Sequence, residues 1–354
     1  MKRVPELDGI RGLAGVGVVA YHAFPTALYW CWSCVDLFFV LSRYLIISII
    51  ITQRSQPGFL RSFYVRRVAR IWPAYFITLV TLVLINSISR TGHSTEGLLY
   101  HLVFLQNTPA YFGVQPPPFI HSFSPSWSVA IEEQFYLIWP VLVIAITPRK
   151  IPHLAVVLLG LCLFCRLTLP GEIFLLLTRG DGLALGCFLG WLDYGDGESS
   201  SLRRHVPWLA IAALFGGGYV ALYLVVFRGE PRPGWQTSCF TGFSLLYFSL
   251  IGFCISFSGS RALFVFRIPL LRWFGTISYS LYLFHIPIFT IAPRILELIG
   301  VFSPTVSAAA TWIAIVVLPA ISWYLVERPI LRFSRPSLHT AVRADDTLAC
   351  RIPN

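Results

Sequence analysis

Arg11 and His22 lie eleven residues apart in LDGIRGLAGVGVVAYH, a stretch otherwise built almost wholly from apolar and small residues. On a helix, eleven steps make three turns plus roughly 20°, so both side chains share one stripe, about 16 Å apart along the axis. A guanidinium grips phosphate oxygens and an imidazole exchanges protons near neutral pH, so this stripe joins an anion site to a candidate general base. A snorkelling arginine and a satisfied core histidine account for the same pair more plainly.

Further ionisable residues fall in apolar runs, where a charge is costly and often marks function. Asp36 stands near the start of the second run, Glu132 and Glu133 follow Trp127 by about one and a half turns, and Arg179 and Asp181 lie in the outer third of a sixth. Counted along their helices, all reach a depth close to that of His22, which predicts a polar chamber; a structural ion-pair cluster is the alternative. Arg66, Arg67 and Arg70 cluster in YVRRVARIWP, with Arg66 and Arg70 one turn apart. Such a cluster suits a phosphate-bearing ligand, although inward-facing positive charge explains it as well. Taken together, the residues describe a phosphorylated donor docked at the arginines, with its reactive end reaching a histidine–carboxylate site half a membrane away. An extended pantetheine arm fits that path and points to acyl-coenzyme A.

The elements that hold these residues must be membrane helices. Of 354 residues, 56% are apolar and 12% are Asp, Glu, Lys or Arg, against about 45–50% and about 25% in soluble domains. The mean hydropathy is +0.71. A soluble enzyme and a disordered chain are both excluded. Apolar runs long enough to cross the hydrocarbon core recur near 10–29, 35–52, 71–89, 127–147, 152–169, 173–193, 206–227, 237–257, 276–296 and 305–326. The expected fold is therefore all-α and polytopic, with ten transmembrane helices and both termini cytoplasmic. In that orientation 20 of the 27 basic residues fall in inner segments, and only Arg90, Arg228, Arg232 and Arg294 fall outside.

The net charge of +11 serves this orientation, and no nucleic-acid signature accompanies it. Lys2 and Arg3 precede an apolar run as in a signal peptide, but Asp8 and Arg11 interrupt its start, so an uncleaved first span is expected. Residues 1–335 read as one membrane domain and 336–354 as a short polar cytoplasmic tail. The outer connection 90–126, with Leu98–Gln106 apolar and prolines at 116–118, reads as a lid or as a passive linker. Cys31 and Cys34 could close a disulfide in an oxidising compartment, yet neither they nor Cys162 and Cys165 have partners at metal-site spacing, so no metal is expected.

These segments resemble, in order, those of an integral-membrane acyltransferase family, family three, whose members O-acylate cell-surface carbohydrates and some antibiotics. LDGIRGLAGVGVVAYH is similar to the family's opening, VDLFFVLSRYLI to its second-span motif and FYVRRVARIWPAYF to the start of its third. HLVFLQN, SWSVAIEEQFYLIWP, RGDGLALG, ISYSLYLFHIPI and YLVERPI follow. The resemblance implies ten spans and acyl transfer from a coenzyme A thioester. It places the family's arginine–histidine pair on Arg11 and His22, its basic pair on Arg67 and Arg70, and its carboxylates on Glu132 and Glu133. It also places Tyr279, Tyr282 and His285 in the SYSLYLxH segment and Glu327 at the inner end of the last span. One position departs: Arg43 stands where the family usually has a small residue, which bears on the donor tunnel's shape, and Asp36 is its expected partner.

An alcohol needs a general base to attack a thioester near neutral pH. The expected catalytic set is His22 as base, with Asp36 or Glu132 on its other nitrogen. Arg11, Arg67 and Arg70 would bind the coenzyme phosphates. Tyr279, Tyr282, His285, Glu133, Arg179 and Asp181 would bind substrate or face the oxyanion. The acceptor is a hydroxyl, with a carbohydrate outside the membrane the first expectation and acetyl the acyl group. A transporter or flippase of a lipid-linked sugar, and a non-catalytic paralogue plugged by Arg43, are the rival readings.

Overall fold

A computed structural model describes residues 4–88, 97–108, 123–169, 174–194, 201–227 and 236–334. The polar tail and the proline-rich part of the 90–126 connection lie outside the described residues.

Among the described residues the chain is helical and holds no strand. In order come α1 (Pro5–Ala23), α2 (Cys34–Gln53), α3 (Phe59–Ile88), the short α4 (Leu98–Leu102), α5 (Trp127–Ala145), α6 (Ile151–Thr168), the single turn α7 (Leu176–Arg179) and α8 (Asp181–Tyr194). Then follow α9 (Val206–Phe227), α10 (Gln236–Ser256), α11 (Pro269–Leu298), α12 (Pro304–Ser322) and α13 (Arg328–Phe333), the last two joined through a π-helical turn at Trp323–Glu327. Proline at the first turn starts α1, α6, α11, α12 and α13, where its missing N–H costs nothing. Prolines inside α3, α5, α11 and α12 are tolerated, as membrane helices allow.

Among the described residues eight helices are long and apolar enough to span a membrane, which makes the chain a multi-pass membrane protein. The other two expected spans are shorter or more charged. α1 carries Glu6, Asp8 and Arg11, and the expected run 173–193 is broken at Gly180 into α7 and the 14-residue α8. α9 exposes Leu214, Phe215 and Val225, a surface suited to lipid.

Two glycine-mediated contacts set the interior. α1 packs along α11 with Gly12 against the Leu271 carbonyl oxygen and Gly275 against that of Asp8; a Cβ on either glycine would sit 1.9 Å from that oxygen. Where lipid supplies no hydrophobic drive between helices, such close approach is what holds them. α8 packs on α2 in the same way, Gly186 lying against Val40.

Candidate active site

Register along the α1–α11 contact places the first functional pair. The two helices run side by side in the same direction, Gly12 facing Gly275. Ten residues further along each come His22 and His285, so both rise equally and meet. The Nε2 of His285 lies 3.1 Å from the Nδ1 of His22, and the ring centroids are 4.8 Å apart. His22 Nδ1 also lies 3.0 Å from the Val18 carbonyl oxygen. His285 is fully buried, and its Nδ1 meets the Tyr282 carbonyl oxygen.

Two cavities flank this region. The larger, about 590 Å³, opens among Arg11, Arg66, Arg67 and Arg70 and runs past Ser42, Glu132 and Tyr279 to Val35, Ser128 and Tyr282. The second, about 470 Å³, holds His22, Tyr21, Trp32, Trp127 and Arg179 and also ends on Val35 and Tyr282. Both lie within the usual range for small-molecule pockets. Val35 and Tyr282 therefore form the wall that the two share. The Tyr282 hydroxyl donates to the Pro125 carbonyl oxygen at 2.8 Å and lies 2.7 Å from Ser128 Oγ.

The arginines are disposed as an open cationic mouth. Arg11 has Asp8 at 3.9 Å, Arg67 lies over the rings of Phe63 and Tyr136, and Arg70 lies over Trp323. Arg67 Nε is buried without a hydrogen-bond partner among the described residues. Unused guanidinium donors on a cavity wall suit an anionic ligand.

The carboxylates take other places than expected. Asp36 is buried and accepts from Arg179 at 3.0 Å, rather than holding His22 or Arg43. Glu132 lines the arginine cavity, accepting from Ser42 at 3.1 Å with Arg43 at 3.7 Å. The imidazole's near neighbours are thus a carbonyl and a second histidine. Glu133 accepts from Trp72 Nε1 at 3.2 Å, and Asp181 accepts from Arg166 and from Thr241. Arg179 packs over Phe240 at 3.7 Å and faces the His22 cavity. Tyr279 spends its hydroxyl on the Ile71 carbonyl oxygen at 3.0 Å while its side chain lines the arginine cavity. Glu327 is buried, accepting from Ser280 and Ser322.

Arg43 does not form part of either cavity wall. It is fully buried between the rings of Phe135 and Tyr136, with its centre 4.3 and 4.2 Å from their centroids. Arg166 and Ser128 were not singled out by sequence reasoning. The signal for Ser128 was present, since it precedes Glu132 by one helical turn in SWSVAIEEQFY and so shares its face.

The HLVFLQN segment is pinned to this framework. Gln134 Nε2 donates to Asn107 Oδ1 at 2.7 Å and to the Phe104 carbonyl oxygen at 2.9 Å, fixing HLVFLQN on α5. His101 in α4 is buried, and burial pushes its imidazole down to about 4, so it stays neutral. Cys31 and Cys34 are free buried thiols.

A family model described as an acyltransferase domain matches residues 4–327. The chain is similar to a peptidoglycan O-acetyltransferase of Listeria monocytogenes, 30% identical over 93% of this chain and 56% of that protein. It is also similar to a Bacillus subtilis protein provisionally named as a peptidoglycan O-acetyltransferase (29% identical, 92% of this chain, 55% of that protein). A Staphylococcus aureus protein provisionally named as an O-acetyltransferase is 29% identical over 80% of this chain and 50% of its own length. The chain spans about half the length of these curated relatives. No solved structure matches it.

Proposed function

The chain belongs to acyltransferase family three, and on that premise we propose that it moves an acyl group, acetyl in the first instance, from acyl-coenzyme A to a hydroxyl of a carbohydrate. The observation that supports this is the meeting of the two cavities at Tyr282 and Val35, arginines lining one and His22 the other. The arginine cavity is the cytoplasmic donor site, in keeping with the positive-inside bias, and the His22 cavity faces outward.

Arg11, Arg67 and Arg70 hold the coenzyme phosphates, and the pantetheine arm runs along the cavity toward Tyr282. The acceptor enters the His22 cavity, whose aromatic walls Trp32 and Trp127 suit a sugar ring. His22 takes the hydroxyl proton as the oxygen attacks the thioester carbonyl. The tetrahedral intermediate then expels coenzyme A thiolate, and the proton on the imidazolium leaves with it or passes to water. Asp36 sets the pose of Arg179 in the acceptor cavity, while Glu132 lies on the donor side. The polymer named for the relatives, peptidoglycan, is one such carbohydrate acceptor.

Purified protein in lipid is the test. Coenzyme A release from acetyl-coenzyme A, with matching acetate on a glycan acceptor, supports acyl transfer. Acceptor movement across the bilayer with no thioester consumed would instead favour a flippase.

A further inference from the structure

We infer that His285 is a positioning residue that fixes the tautomer and orientation of His22, leaving His22 Nε2 bare to take the acceptor's proton. The inference rests on the proposed role of His22 and assigns His285 a place outside the substrate's reach. His285 lines neither cavity and is wholly buried, whereas His22 is exposed on the wall of the second cavity.

The tautomers follow from the partners. A carbonyl oxygen can only accept, so His285 Nδ1, which meets the Tyr282 carbonyl, carries a proton. In the neutral ring its Nε2 is then an acceptor, and the only ring atom of His22 within its reach is Nδ1 at 3.1 Å. The same conclusion comes independently from the other side. His22 Nδ1 meets the Val18 carbonyl at 3.0 Å and so must also bear hydrogen, shared between that oxygen and His285 Nε2. Were His285 protonated on Nε2 instead, two N–H groups would face each other and the Tyr282 carbonyl would lose its donor. With Nδ1 of His22 committed, Nε2 is the basic nitrogen.

This division of labour, with one group at the reacting proton and a second holding its ring, is the logic by which a buried partner orients a catalytic histidine. Here the partner is a neutral imidazole rather than a carboxylate, and both carboxylates that might serve are occupied elsewhere, Asp36 by Arg179 and Glu132 by Ser42 and Arg43. Among the described residues it is therefore dipoles that stabilise the imidazolium formed during reaction. The Val18 carbonyl, His285 Nε2 and, through the latter, the Tyr282 carbonyl all present negative ends toward it.

The test is a set of variants in lipid-reconstituted full chain, assayed for acyl transfer alongside thermal unfolding. His285→Leu should lower kcat by about tenfold or more with the KM for acyl-coenzyme A unchanged, as expected when orientation rather than binding is lost. His285→Gln, whose Oε1 can reach the place of Nε2, should recover most of that loss, while His285→Asn, too short to do so, should not. In a His22→Ala background, His285→Leu should change the residual rate by less than about twofold, because the two residues act as one unit. Full kcat in His285→Leu beside an inactive His22→Ala would overturn the inference, as would equal losses in Gln and Leu variants whose unfolding temperatures match the parent. If Leu proves unstable, the Gln–Asn contrast decides in the same way. Undiminished transfer by His22→Ala would instead strike the role of His22 itself.

Discussion

Tyr282 and Ser128 join hydroxyls at 2.7 Å beside the wall that the arginine cavity shares with the His22 cavity. One residue on α11 and one on α5 are thereby tied together where, in the proposed reaction, a thioester would meet an alcohol. The bond is weak enough for a passing acyl group to replace, since a neutral hydrogen bond contributes about 0.5–1.5 kcal/mol net.

Tyr282→Phe keeps the ring and removes both hydroxyl contacts. Water then passes the wall more readily, so thioester hydrolysis without acceptor should rise several-fold while transfer to acceptor falls. Coenzyme A release measured with and without acceptor checks this. Ser128 and the Pro125 carbonyl each lose a partner, and stability should drop by about 1–3 kcal/mol.

Gly275→Ala should be far more damaging than its single methyl suggests. The added Cβ would lie 1.9 Å from the Asp8 carbonyl oxygen, forcing α1 away from α11 and parting His22 from His285. Loss of at least about 1–3 kcal/mol, as for overpacking, and loss of transfer are expected together. Gly160→Ala on α6 meets nothing within 4 Å and should be neutral or stabilising by up to about 1 kcal/mol. Unfolding temperatures of the two variants make the comparison.

Arg43→Gly tests whether this chain's departure from its family blocks the donor route or supports it. Arg43 stands behind Glu132 and outside the cavity walls, so its removal should lower transfer, not raise it. Glu132 then keeps its hydrogen bonds from Ser42 and Tyr136 but loses its counter-charge, and breaking this partly buried pair costs less than the ~3–5 kcal/mol of a fully buried one. Adding Glu132→Gln to Arg43→Gly should recover part of the stability. A gain in transfer from Arg43→Gly alone would restore the plugged-paralogue reading.

Much of this site was legible because helix periodicity is local. Arg11 and His22 could be placed on one stripe from spacing alone, and the arginines of YVRRVARIWP do line the same cavity as Arg11. The pairing of charges was not legible. Asp36 meets Arg179 where Gly182 and Gly186 let α8 settle on α2, and Asp181 meets Arg166 where α6 packs on α8. Depth along a helix says nothing about which helix is next to it. Glu132, expected beside His22, faces the other cavity for that reason, and the partnership of His22 with His285 needs the register set by Gly12 and Gly275, 263 residues apart in sequence.

Glu6, at the Arg11 end of α1, gives a pH signature separate from catalysis. Burial alone would raise its pKa, but hydrogen bonds from the Gly259 N–H and the Ser258 hydroxyl, with Arg267 at 3.7 Å, bring it below the ordinary carboxylate value. A folded-state pKa below the unfolded one stabilises at higher pH, and that contribution disappears as pH falls through the folded value. Glu6→Gln should therefore lower the unfolding temperature at pH 7, by an amount set by charged hydrogen bonds of about 1.5–3 kcal/mol. The gap to the parent should narrow once the pH is taken below the ordinary carboxylate range.

Transfer across a sealed bilayer bears most directly on the two-cavity account. Vesicles holding the protein in one orientation receive labelled acetyl-coenzyme A on one face and a glycan acceptor on the other. The account predicts acetylated acceptor only when the donor is on the face of Arg11, Arg67 and Arg70, and none with His22→Ala. Acetylation that requires donor and acceptor on the same face, or that survives His22→Ala at the full rate, would contradict it.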